Sequence, residues 1–242
     1  MSDTETYTIQ VYNNSDEPQN YLLFQTVPVL SGSAEVFANV YQSSGVIESG
    51  PYSQVTFQMT NEYYAVYGTN PTPLGDKVRV TTGSAAPVTL SSGQTPPETP
   101  GTQCVMSTTS GKYPNWASVT PTQQQEPNAF GIYCDGTFEY PTETNIFIGM
   151  GAPDPVSQDI IPVTTVPASP NTYFYFQPIV KYYIGTGEYE AGTVVNITEI
   201  GQVCPVDFTQ LPEPTAIYTQ GRDNEYYPGA PSEDAVKGHK KK

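Results

Sequence analysis

Apolar and polar residues alternate with a period of two through much of this chain, which is the spacing of strands rather than helices. Tyr7–Tyr12 alternates Tyr and Ile with Thr and Gln, and the Asn13-Asn14-Ser15-Asp16-Glu17-Pro18 segment that follows is a loop by its turn chemistry. Further strands are predicted at Tyr21–Thr26, Val36–Tyr41, Gln54–Met59, Tyr63–Tyr67 and Lys77–Thr81, the last with Val78 and Val80 on one face. Strand, turn and strand in close succession is the signature of a sandwich or barrel.

The rhythm breaks at residues 83–103, where Gly, Ser, Thr and Pro dominate and residues 95–100 (TPPETP) read as a stiff extended link. That stretch is either an internal boundary near 91–103 or a long excursion within one sandwich, and the second reading is preferred. Residues 107–128 read as irregular and place the only tryptophan, Trp116, in a loop. Phe130–Phe138 predicts a hairpin turning at Asp135-Gly136. Asn145–Gly151 reads as a buried strand, and Ala152–Asn171 as a polar, proline-rich connection. Tyr173–Ile184 is the most aromatic segment, broken by Pro178. Gly185-Thr186-Gly187 turns the chain, and Val194–Ile200 and Val203–Phe208 close the ordered part. The fold class expected is all-β, an antiparallel β-sandwich over residues 1–228, formed as one body or two packed halves, with long Pro/Gly/Ser/Thr-rich loops. Residues 229–242 lose the alternation, end in Lys240–Lys242 and are expected to form a flexible basic tail.

Composition supports the strands. There are 6 Leu against 12 Ile and 22 Val, with 19 Tyr and 9 Phe, and 44 Pro and Gly are scattered along the chain. β-branched and aromatic residues suit a pleated sheet, and the prolines and glycines leave little room for long helices. Leu, Ile, Val and Phe together make 49 of 242 residues, close to the composition of disordered chains. The tyrosines restore the balance, since each can bury a ring and keep its hydroxyl wet.

Charge narrows the partners. Charged residues are 14% of the chain and the net charge is −15. The last 14 residues hold four Lys against Glu233 and Asp234, so residues 1–228 carry −17 from 5 basic and 22 acidic side chains. Such a body repels phosphate backbones and anionic lipids, which disfavours nucleic acid and membrane partners. Cations, neutral glycans and basic proteins remain open. The N-terminus MSDTETYTIQ has neither a basic nor an apolar leader region, and no apolar run has the length of a membrane span. A cytoplasmic location is therefore expected, with export by a route that needs no signal peptide left open. Cys104, Cys134 and Cys204 fit three reduced thiols better than one disulfide and a free thiol.

The segments YTIQVYNNS (7–15), YLLFQTVP (21–28), NIFIGMG (145–151) and YFYFQPIVKYYIGTGEYEAGTVVNITEI (173–200) occur in an order that resembles the rhizosphere-induced protein family of root-nodulating bacteria. The likeness spans about residues 5–210; the proline-rich 95–101 link and the basic tail depart from it. It implies a small β-protein with an environmental or developmental role. The family carries no accepted catalytic residues, so the resemblance transfers no site.

Candidate chemistry is sparse. The only histidine, His239, lies in the presumed tail, so Ser-His-Asp, Cys-His and histidine-rich metal sites lack their key residue. Glu188 and Glu190 flank Tyr189 and would share a face on one strand, and Asp154 and Asp159 sit in a loop. Two carboxylates can serve glycoside hydrolysis, but among 24 acids such pairs arise by chance and read as solvated charge. No spacing matches a calcium-binding loop, and no cofactor or metal is expected. The Gly149/Gly151 and Gly185/Gly187 pairs lack the context of a phosphate cradle. The binding candidates are Tyr113, Trp116, Tyr133, Tyr182 and Tyr183, because aromatic side chains on β-sandwiches commonly stack on sugars or fill protein interfaces. Trp116 is equally a cap on one end of the core. The sequence thus reads as a non-enzymatic binding or self-assembling protein whose partners are its own copies, another protein or a neutral glycan. The alternatives are a lectin-like defence protein and a carboxylate-based enzyme acting on glycans.

Overall fold

The computed structural model describes residues 4–30, 35–94, 97–123 and 126–231. The chain begins with β1 (Thr6–Asn13), β2 (Gln19–Gln25), β3 (Val29–Leu30), β4 (Phe37–Ile47), β5 (Gln54–Thr60) and β6 (Tyr63–Thr69). It continues with β7 (Ser84–Val88), β8 (Gly101–Thr109), β9 (Tyr113–Thr122), β10 (Phe130–Cys134), β11 (Ile146–Pro153) and β12 (Ile160–Pro167). The last strands are β13 (Thr172–Gln177), β14 (Lys181–Thr186), β15 (Val194–Val195), β16 (Cys204–Asp207), β17 (Thr215–Gln220) and β18 (Tyr226–Pro228). A single 3-10 turn at Ile197–Glu199 is capped by the Asn196 side chain, and no α-helix occurs among the described residues.

Three sheets form an all-β sandwich. The largest runs β16-β14-β2-β4-β12-β11-β6-β7, with β15 also paired to β4. A four-stranded sheet, β18-β17-β1-β5, and a five-stranded sheet, β3-β13-β10-β8-β9, complete it. Pairing is antiparallel except for β1 with β17 and β8 with β10. Alternation explains the packing. Ile9 and Phe57 from the four-stranded sheet, Cys104, Phe130 and Phe174 from the five-stranded sheet, and Ile148 and Tyr182 from the large sheet share one buried cluster. Where β2 reads YLLF there is no alternation, because both faces are covered. Tyr21 and Leu23 face the main cluster, while Leu22 and Phe24 meet Val40 and Val195 beneath Tyr189, Ile197 and Ile200.

Several expected loops are strands. Residues 101–122 form the β8–β9 hairpin, which turns at Ser110 and Gly111 with φ of 57° and 70°. Pro114 and Pro121 lie within β9 at the sheet edge, where a missing N–H costs no ladder bond, so they do not break the strand. The same holds for Pro87 in β7, within the expected 83–103 break. β12 crosses the expected proline-rich connection; it meets β4 only at Thr164 and Thr165, so Pro162 lies beyond that pairing. The hairpin expected at Asp135-Gly136 is absent: β10 pairs instead with β8 and β13. Pro178 marks the point where the chain leaves the five-stranded sheet for the large one. Lys77–Thr81 makes only an isolated bridge, Arg79 to Thr193. Parts of the 95–100 link and the tail beyond residue 231, with His239 and Lys240–Lys242, fall outside the described residues. Gly229 is still fixed, its N–H donating to the Ile217 carbonyl at 2.8 Å.

One polar side chain holds the junction of β1, β2 and β4. Asn13 is fully buried. Its Nδ2 donates to the carbonyls of Glu17 and Ile47, each at 2.8 Å, and its Oδ1 accepts from the Ser15 hydroxyl at 2.7 Å. Asn13→Ala leaves these groups unpaired and is expected to cost about 2–3 kcal/mol. Urea unfolding checks this as a lower midpoint at unchanged slope; an unchanged midpoint would show that water replaces the amide without penalty.

Candidate binding face

The five-stranded sheet turns one face to the core and one to solvent. In β13, TYFYFQ, the alternation sends Phe174 and Phe176 inward and Tyr173 and Tyr175 outward. In β10, Phe130, Ile132 and Cys134 are buried and Tyr133 is half-buried on the opposite face. Cross-strand register places Tyr173 opposite Tyr133, Tyr133 beside Val105, and Val105 opposite Ser118. The next row is Tyr175, Gly131, Gln103 and Thr120. Gly131 leaves room for the Gln103 side chain, since a Cβ there would sit 2.7 Å from Gln103 Oε1.

The tyrosines form a ladder. Tyr133 and Tyr173 stack with centroids 4.3 Å apart, and Tyr173 and Tyr175 lie near-parallel at 6.2 Å. Stacking directs ring faces at one another, so the phenol edges and hydroxyls are what the ladder offers to a partner. No hydrogen bond is made by these three hydroxyls among the described residues, and Tyr173 is 53% exposed. Burial first, then Tyr173 and Glu126, hold the Tyr175 phenol above its ordinary value, so it remains a neutral donor. The strands β3, β8, β9, β10 and β13 contain no Asp, Glu, Lys or Arg. Charge is kept to the loops throughout: Lys181 and Asp207 are the only charged residues within the eighteen strands.

The other sequence candidates separate. Trp116 is on the inner side of β9 beside Met106, edge-on to Tyr67 of the facing sheet at 4.8 Å, with its indole N–H buried and unpartnered. It packs, partly buried, against the main cluster and closes the core at that end. Tyr113 is exposed at the hairpin tip, opposite Thr109. Tyr182 is 1% exposed in the main cluster, so it is a core residue out of a partner's reach. Tyr183 points the other way, onto the smaller cluster, with Lys181 Nζ 5.8 Å from its ring centroid. Tyr173 and Tyr175 escaped the sequence reading, although the Tyr/Phe alternation of β13 is visible in it.

The carboxylates do not converge. β14 ends at Thr186, so Glu188 and Glu190 lie in a turn rather than on a strand face, both exposed, with Glu190 paired to Arg79. Asp154 Oδ1 accepts from the N–H groups of Val156 and Ser157 at 2.8 and 2.7 Å and so caps a turn, and Asp159 is exposed. Among the described residues no group of three or more His, Cys, Asp or Glu is arranged to hold a metal. Cys104, Cys134 and Cys204 are buried and unbonded. Burial pushes the Cys104 and Cys134 thiols up to about 12, away from the range of a nucleophile.

The clefts are less suited than the ladder. A cleft of about 880 Å³ lies between Tyr7, Tyr63, Leu90 and Pro178. Two of its polar groups are already engaged: Tyr7 donates to Glu5 at 2.7 Å, and Ser92 Oγ accepts from the Glu98 and Thr99 N–H groups. In a second cleft of about 450 Å³, Tyr227 donates to Asp223. No helix among the described residues is long and apolar enough to cross a membrane.

Comparison with known proteins gives one likeness. The family model described as RhiA, that of the rhizosphere-induced proteins, matches residues 4–226. No curated protein and no solved structure matches the chain.

Proposed function

We propose that this chain, which belongs to the RhiA family, is a non-enzymatic binding protein whose tyrosine ladder takes a neutral, hydroxyl-rich ligand of the neutral-glycan class. The observation that carries this reading is the set of three uncommitted phenol hydroxyls, Tyr133, Tyr173 and Tyr175, standing on an uncharged sheet face. Ser118 and Thr120 extend the two rows with neutral hydroxyls. Rigid phenols lose little entropy on binding, and neutral hydroxyls need no counter-charge. The carboxylates lie exposed or tied into turns, which supports a non-catalytic role.

The test is a panel of immobilised neutral and acidic oligosaccharides. Binding of neutral members is expected, with acidic ones excluded by the surrounding negative charge. Tyr173→Ala should weaken binding roughly tenfold, about 1.4 kcal/mol, without lowering the melting temperature. Tyr173→Phe separates the hydroxyl from the ring. A wild-type protein that binds no neutral oligosaccharide, or a folded Tyr173→Ala that binds as well as wild type, would overturn the reading.

A further inference from the structure

Six strands end the three sheets: β18 and β5, β3 and β9, β16 and β7. An open edge invites pairing with another chain, and proteins blunt such edges with proline, bulges, charge or brevity. Five of the six are blunted. β18 contains Pro228, β16 contains Pro205 and β7 contains Pro87. β9 contains Pro114 and Pro121 and a bulge after Val105 of its partner. β3 is two residues long. The exception is β5, QVTFQMT, with seven residues and no proline, glycine or charge. Its seven pairs with β1 run without a register shift.

We propose that β5 is the interface of a two-fold dimer, pairing antiparallel with β5 of a second copy of this chain. The phase of the ladder supports it. Asn13 N–H donates to the Ser53 carbonyl at 2.9 Å and Asn61 N–H to the Glu5 carbonyl at 3.2 Å, so Val55, Phe57 and Met59 bond to β1. Gln54, Thr56, Gln58 and Thr60 therefore direct their N–H and C=O groups to the open side. These four are spaced evenly about Phe57. A two-fold axis through Phe57 sets Thr56 against Gln58 and Gln54 against Thr60, each an antiparallel pair that exchanges two hydrogen bonds. The one hydrogen bond at this edge among the described residues runs from Gln42 Nε2 to the Gln58 carbonyl at 2.7 Å, and that oxygen keeps a second lone pair.

Charge and topology select a second copy as the occupant. A chain of net charge −15 repels itself, and residues 49–61 contain no charged side chain at the point of approach. The pairing is self-complementary, so each copy covers the other's edge. With every other sheet edge among the described residues blunted, assembly stops at two.

Light scattering across a range of protein concentration is the test. The wild type is expected to reach twice the chain mass. Thr56→Pro removes an outward N–H in the way β7 and β16 already do, and should give the single-chain mass. Gln58→Lys, which sets two like charges near each other across the axis, should do the same should the proline variant fail to fold. Hydrogen exchange at Thr56 and Gln58 should slow as concentration rises. A wild type that stays at the single-chain mass at every concentration, or an oligomer that survives both substitutions, would overturn the proposal. The tyrosine ladder lies on a different sheet, so either outcome leaves the glycan reading to its own test.

Discussion

Gly149→Ala is expected to be the most damaging single-methyl change in the protein, costing about 3 kcal/mol or more. Gly149 lies in β11, between Val66 of β6 and Thr165 of β12. A Cβ on it would sit 2.0 Å from the Thr164 carbonyl oxygen and 3.1 Å from the Thr165 Cα. Both are backbone atoms of the neighbouring strand, so no rotamer change relieves the clash and the large sheet must part at its middle. Gly151→Ala is the control within the same strand. Its Cβ would meet methyl groups of Ile160 and Val66 at 2.7 Å, which can turn aside, and about 1–2 kcal/mol is expected. Gly75→Ala meets nothing within 4 Å and should stay within about 0.5 kcal/mol of wild type. Urea midpoints rank the three. A Gly149→Ala protein as stable as Gly75→Ala would show that β11 and β12 are not paired in this register.

The second large effect is unfolding in alkali. Burial holds the phenols of Tyr21, Tyr41 and Tyr182 well above their ordinary value and pushes Tyr63 up to about 12. All four are nearly or fully buried. The folded protein keeps these protons at a pH where the unfolded chain releases them. Their contribution is therefore complete below the ordinary tyrosine value near 10 and is lost as pH rises toward the folded values. Each group removes about 1.4 kcal/mol per pH unit, so the four together remove roughly 5 kcal/mol per unit above pH ~10. Cys104 and Cys134, both up at about 12, begin to contribute from the ordinary thiol value near 8.5. Domain stabilities run to about 5–15 kcal/mol. Cooperative unfolding is thus expected between about pH 10 and 11.5, with tyrosinate absorbance and loss of the far-ultraviolet strand signal rising together. Titration of these tyrosines in a protein that stays folded would show that their hydroxyls reach water.

The strands legible in the sequence were those with one wet face and the short apolar runs of β2 and β11, which are buried on both faces. β1 and β5 are half-covered, and their Thr and Gln positions mark the solvent side. β9 and β7 were hidden because a proline looks the same in a strand edge as in a loop, and only the topology shows which strands have an unpaired side. β12 was hidden because its pairing to β4 stops short of Pro162. The site suffered from a related ambiguity. Tyr182 and Tyr183 must face opposite ways on β14, but nothing local says that one meets the main core and the other the smaller cluster. For Trp116 exposure and a core cap stood level because its segment looked like a loop, and its place on β9 decides for the cap. The Tyr133–Tyr173 pair joins residues forty apart, and such register depends on how the whole sheet assembles.

The parallel pairing of β1 with β17 ties Thr8 to Thr215. During synthesis this neighbour is made 207 residues after Thr8, the difference between those two positions. At about 5–20 residues per second, β1 waits roughly 10–40 s with that side open. The same interval exposes its apolar face, Tyr7, Ile9 and Val11, until the sandwich closes over it. The order of strands along the chain thus leaves β1 without this neighbour until β17 has been made.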